Sequence, residues 1–170
     1  MASRIIEAFQ DLEDPRKSNA TRHDFAEMLT LAVIAVICGH ETCVDMENFS
    51  RTHKDFLRTF LKLKHDIPSH DAFSRLFRIL DPEAFEGVLL KLVDMLNHRS
   101  PDSAGKIDTS SLVRKFNQPP RKSSIYLLNV FGLSARIIFN RYPGPEQQST
   151  SATDDIIPPG LLQFCTKTNQ

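Results

Sequence analysis

The 170-residue sequence predicts a mainly α protein: a helical amino-terminal domain over 1–100, a β-hairpin or sheet fragment over 104–142, and a poorly ordered tail over 143–170. Apolar stripes at i, i+3, i+4 spacing recur through the first hundred residues, each opened by Ser, Thr or Asp at a cap position. After "HRSPDSAG" the texture changes. "IYLLNVF" and "ARIIFNRY" are rich in β-branched, aromatic and long aliphatic residues with Gly132 between them, which predicts a hairpin from Ser123 to Arg141, preceded by "GKID" as a short first strand. From "PGPEQQSTSATDD" onward the chain is polar and turn-rich.

The helices follow in order. Ser3 caps a helix to Leu12, with Ile5, Ile6, Phe9 and Leu12 on one face. "EDPRKSNATRH" breaks it, because Asp14 precedes a proline and turn formers follow. The next helix runs from His23 to Ile37, is apolar nearly all round in its second half, and ends at Gly39, suited to a left-handed cap. Thr42 and Asp45 form a variant capping box for a short helix to Phe49 or Ser50, and Thr52 caps another carrying Phe56, Leu57, Phe60 and Leu61. Ser69 caps a helix whose Phe73, Leu76, Phe77 and Leu80 fall on one stripe, with Arg75 and Arg78 facing away. Asp81 caps the last, with Pro82 at its first position and its end near Asn97.

Composition narrows the function classes. Apolar residues at 41% and charged residues at 25% describe a globular chain, and a formal net charge of zero removes any global electrostatic attraction to nucleic acid or membrane. The zero is unevenly built: 13 basic against 16 acidic residues up to Ser100, then seven basic against the single acid Asp108 from Lys106 to Arg141. A polyanion would sit on that second region, with Arg114, Lys115, Arg121 and Lys122 as its contacts. Three cysteines without framework spacing point to a reducing compartment and a cytoplasmic chain. No signal peptide is expected at the start, and "MLTLAVIAVIC" is too short to cross a bilayer.

Candidate chemistry is sparse. Cys38, His40 and Cys43 lack a second ligand pair at zinc spacing, so Cys38 reads as core and His40 as a loop residue near a cap. Ser69, His70 and Asp71 are consecutive and point in different directions, which suits capping rather than nucleophilic catalysis. "CVDMENFSRTHKDFLRTFL" and the "PSHD" helix are compatible with a helix-turn-helix DNA reader, as are many small bundles. Asp108 is the remaining candidate, since a carboxylate at a strand end holds a divalent cation in nucleases of RNase H-like topology. Such a site needs further carboxylates, and Glu146, Asp154 and Asp155 lie in a turn-rich stretch poorly suited to supply them.

In order and spacing, "DLEDPRKSNATRHDFAEMLTLAVIAVICG", "DMENFSRTHKDFLRTFLKL" and "IPSHDAFSRLFRILDPEAFE" resemble the amino-terminal region of the H-repeat-associated insertion-sequence transposases, a DDE-type family. The resemblance covers Phe9 to Leu96. It implies a helical domain ahead of an RNase H-like catalytic domain, transposition of DNA as the activity, magnesium in the intact family, and insertion-sequence ends, a homo-oligomer or an intact transposase subunit as partners. The family's first catalytic aspartate stands in a strand motif I-D-G-K-T-L-R. "IDTSSLVR" is similar: Asp108 matches the aspartate and Leu112 the leucine, while Thr109 and Ser110 replace glycine and lysine.

Asp108 holds a metal only if other residues complete the site, and the family's second aspartate and its glutamate have no counterpart here. The resemblance therefore implies a truncated transposase that neither cuts nor joins DNA and needs no cofactor, with residual DNA binding through Arg75, Arg78 and the basic stretch. The alternative is a non-catalytic protein-interaction module of the same descent, served by the open edges of an incomplete sheet.

Overall fold

A computed structural model describes residues 4–16, 21–99, 106–118 and 123–141. All regular structure within them is helical: α1 (Arg4–Gln10), α2 (Phe25–Ile37), α3 (Cys43–Thr52), α4 (Lys54–Leu57), α5 (His70–Ile79), α6 (Pro82–Arg99), α7 (Thr109–Phe116) and α8 (Ser124–Arg141).

α2 is the centre, with α1, α3 and α8 packed around it. Twelve of its thirteen residues are buried, the fate of a helix with no polar face. Asp24 caps it by accepting from the Glu27 amide at 2.9 Å. At the other end Gly39 adopts φ +98°. Its amide bonds the Val36 carbonyl at 3.1 Å while the His40 amide bonds that of Ala35 at 2.9 Å, the paired closure of a Schellman cap.

The "DPR" and "RH" spacing also has a physical reason. Arg16 Nε donates to Asp14 at 2.8 Å. Its Nη1 donates to the His23 carbonyl at 2.9 Å, and the guanidinium lies 5.5 Å from the Phe25 ring centre. The seven-residue separation is the reach of a staple that fixes the entry into α2.

Other starts follow the sequence closely. Thr42 and Asp45 make both bonds of the capping box. Ser69 accepts from the Ala72 amide and Asp81 from the Glu83 amide. Phe73 of α5, Phe85 of α6 and Phe9 of α1 are fully buried, with the Phe9 and Phe85 rings stacked at 6.2 Å.

The helix expected from Thr52 through Leu61 is shorter. Thr52 ends α3 instead of capping the next helix, and α4 is one turn without a side-chain cap. Beyond it the chain is captured by α2: Oε1 of the buried Glu27 accepts from the amides of Lys62 at 2.7 Å and Leu63 at 3.3 Å. Leu63 takes φ +43°, a left-handed conformation that a continuing helix cannot contain.

The carboxy-terminal expectation is corrected. Residues 106–108 are irregular, not strand, and the hairpin over Ser123–Arg141 is the single helix α8. Among the described residues there is no strand, so no RNase H-like sheet fragment is present there. Ser124, Leu127, Leu128, Phe131 and Ala135 are buried at i, i+3, i+4, i+7 and i+11, a helical period that outweighs the β-branched composition. Gly132 is no turn; it lies against Val36 of α2. Ser124 Oγ donates to the Leu80 carbonyl at 2.9 Å, fastening α8 to the junction of α5 and α6. Ile107, Leu112, Phe116, Leu127 and Phe131 join the same core as Phe9, Leu29 and Phe85. The boundary drawn at 100–104 and the tail over 143–170 fall outside the described residues.

Candidate nucleic-acid interface

The outer face of α5 carries the first pair of expected contacts. Phe73, Leu76 and Phe77 are buried, which leaves Arg75 and Arg78 exposed and adjacent at i, i+3. Arg78 Nη2 donates to Ser74 Oγ at 3.2 Å, a weak local bond that leaves most guanidinium donors to solvent. Arg114 and Lys115 stand exposed in the last turn of α7. Cations there also complement the helix carbonyls, a structural role that needs no ligand. α5 and α7 both pack on α8, so that helix supports both pairs. Arg121 and Lys122 lie outside the described residues.

α3 and α5 pack together, as a DNA-reading pair would. α4 and residues 58–69 separate them, however, whereas a helix-turn-helix uses a turn of about three or four residues. The short turn between its two helices is therefore missing.

What joins α3 to α5 is a carboxylate that spacing does not reveal. Glu47 Oε2 accepts from the backbone amide of His70 at 2.6 Å and from its Nδ1 at 2.8 Å, while Oε1 accepts from Arg51 Nε at 2.9 Å. The bonds from His70, first its amide and then its ring, with Arg51 adding to them, hold the Glu47 carboxyl down at about 2. Sequence reasoning missed Glu47; the i, i+4 spacing to Arg51 is a signal that could have drawn attention to it, whereas the partner 23 residues away leaves none. Glu47 thus occupies the positive end of α5, and an anion approaching this helix meets Arg75 and Arg78 rather than free amides.

α8 is tied to the turn between α2 and α3 in a similar way. Asn129 Nδ2 donates to the Glu41 carbonyl at 3.1 Å, and Arg136 pairs with Glu41 Oε1 at 2.8 Å. Arg136, one of the basic residues of 106–141, is therefore spent on an internal contact.

Asp108 is the N-cap of α7. It accepts from the Ser110 amide at 3.0 Å and from the Ser111 hydroxyl. The Ser111 side chain first, then the amides of Ser111 and Ser110 and the Arg114 charge, hold its carboxyl below the usual carboxylate range. Among the described residues no group of three or more His, Cys, Asp or Glu stands together as a metal site. The described residues around Asp108 do not fit the magnesium that the resemblance implies, and both oxygens of its carboxylate already serve the start of α7.

The DDE_Tnp_1-associated family matches residues 6–93 of this chain. An uncharacterized protein in the dhlA 3' region of Xanthobacter autotrophicus is 29% identical over 158 residues, which cover 88% of this chain and 51% of that protein. The H repeat-associated putative transposase YhhI of Escherichia coli K12 is 23% identical over 146 residues, covering 86% of this chain and 39% of YhhI. The inactive transposase YbfQ of the same strain is 33% identical over 72 residues, covering 42% of this chain and 86% of YbfQ. The chain thus spans about half or less of the length of the first two. No solved structure matches.

Proposed function

Since this chain belongs to the DDE_Tnp_1-associated family, we propose that its helical core is a DNA-docking module of transposase origin, taking insertion-sequence ends as its ligand and contributing no strand cleavage through Asp108. The transposase origin follows from the family match and from the similarity to YbfQ. The observation that carries the DNA reading is the exposed Arg75 and Arg78 pair, on a helix whose own N-terminus is already neutralised by Glu47. Arg114 and Lys115 add a second cationic pair. Contacts of this kind are made to phosphate and confer affinity more than sequence choice.

The test is an electrophoretic mobility shift at low salt with a terminal-inverted-repeat duplex and a scrambled duplex of equal length. Retention of both duplexes is expected, weakened in an Arg75→Gln, Arg78→Gln double variant, with the salt slope reduced by about one for each cation removed. No retention at about 50 mM salt, where phosphate contacts are strong, overturns the reading. A second reading, a protein-interaction module, is favoured by Val44, Ile79 and Leu133, each about half exposed. A salt-independent oligomer in light scattering, without duplex retention, is the outcome that would select it.

A further inference from the structure

The two halves of α8 are held differently. At its start Ser124 is buried and donates to the Leu80 carbonyl at 2.9 Å, Tyr126 Oη donates to the Lys115 carbonyl at 3.1 Å, and Leu127, Leu128 and Phe131 are buried. After Gly132 the hold is thin. Of residues 133–136, the last whose side chains are described, only Ala135 is buried, and Leu133 is about half exposed.

The contact that fastens this second half is the pair of Arg136 with Glu41, which is 56% exposed, so solvent takes up most of the attraction. The pair also carries a penalty. Among the described residues Arg136 Nε is buried without a hydrogen-bond partner, and so is Oδ1 of Asn129, whose Nδ2 donates to the Glu41 carbonyl. Each of these atoms has given up water and received nothing in return. A weak point of the helix lies between them. Gly132 is the residue type that a helix orders least readily, and Ser134 Oγ donates back across it to the Val130 carbonyl at 3.0 Å, a bond of the kind that bends helices.

The same clamp bears on a titratable group. The Arg136 guanidinium lies over the cap of α2, with Nη1 3.1 Å from the place a β-carbon on Gly39 would take, and His40 is the next residue of that turn. The His40 ring packs on Phe49 at 4.9 Å, and Phe49 also meets His53 at 4.6 Å. Burial first, opposed by Asp45 and reinforced by Arg136, holds the His40 imidazole below its ordinary value; burial and then His40 do the same to His53. Asp45 is fixed to this turn by its capping-box bonds with Thr42, so its charge stays beside His40 whether or not α8 is seated. The Arg136 charge leaves with α8.

We propose that residues 133–141 of α8 form a strap that swings off the α2–α3 turn about Gly132 while 124–131 stay seated, and that protonation of His40 opens it. With the strap closed a proton on His40 faces Arg136. With it open that repulsion is gone, and Glu41, released from its pair, adds attraction. Closure is therefore favoured in full above the ordinary imidazole value and loses ground as pH falls through the depressed one.

Native-state amide hydrogen exchange of the full chain, followed by NMR and expressed as protection factors, tests both parts. The amides of Ser134, Ala135 and Arg136 are expected to be at least about tenfold less protected than those of Leu127, Leu128 and Phe131, and to open without the denaturant dependence of global unfolding. From about pH 8 to about pH 5 their protection is expected to fall further in the wild type and to hold steady in His40→Gln. Arg136→Met removes both the charge and the unpartnered Nε; it is expected to keep strap protection at the wild-type level or above and to abolish the pH dependence.

Equal protection on the two sides of Gly132 overturns the strap. Strap protection that acid leaves unchanged in the wild type, or lowers equally in His40→Gln, overturns His40 as the trigger. A loss of protection in Arg136→Met at neutral pH identifies the Glu41 pair as a true fastener and overturns the inference that this half is poised to open.

Discussion

A β-carbon on Gly132 would stand 2.7 Å from the β-carbon of Val36 and 3.0 Å from the Val36 carbonyl oxygen. The α2 and α8 backbones cross so closely there that only hydrogen fits. Gly132→Ala must push the helices apart, and the expected loss is about 1–3 kcal/mol, the usual cost of overpacking a core. Gly87 is the control. It lies exposed on α6 with nothing within 4 Å of the place a methyl group would take, so Gly87→Ala is expected to stabilise by roughly 0.5–1 kcal/mol through helix propensity. Thermal unfolding of the two variants should move in opposite directions, by roughly 2–4 °C per kcal/mol in a chain of this size.

The Glu47 contact to His70 makes stability depend on acid. Its carboxyl lies at about 2 in the folded chain against 4.5 ordinarily, so the contribution is full above 4.5 and is lost as pH falls toward 2. Solvent reaches Arg51 and His70, at 56% and 50% side-chain exposure, which holds the expected cost of Glu47→Gln to about 1 kcal/mol at neutral pH. Urea unfolding from neutral pH down into the acid range should show a shallower decline in the variant. Parallel curves would mean that Glu47 does not carry this dependence.

Asp108 separates a capping role from a catalytic one. Asp108→Asn keeps an acceptor for the Ser110 amide and is expected to leave the melting temperature close to wild type, whereas Asp108→Ala frays α7 and lowers it by roughly 2–4 °C. Magnesium-dependent nicking of a supercoiled plasmid by the pure wild type, abolished by Asp108→Asn, would show that the aspartate acts on DNA instead.

The sequence by itself determined the helix starts at Thr42, Ser69 and Asp81, the glycine stop at Gly39 and the central burial of α2. Each of these signals acts between residues within a turn or so of one another, so neighbours in the chain suffice to read it. The motif order that marks the transposase-associated family was legible for a related reason: the Arg16 staple on His23 and the two capped starts fix distances along the chain. What only the tertiary structure decided lies between distant residues. Glu27 captures the amides of Lys62 and Leu63, Glu47 ties α3 to the start of α5, and the close approach at Val36 makes Gly132 a crossing point within a helix. The composition of 124–141 favours strand, but its apolar period fits the groove beside α2, and burial of a whole helical face outweighs a propensity worth less than about 1 kcal/mol per residue.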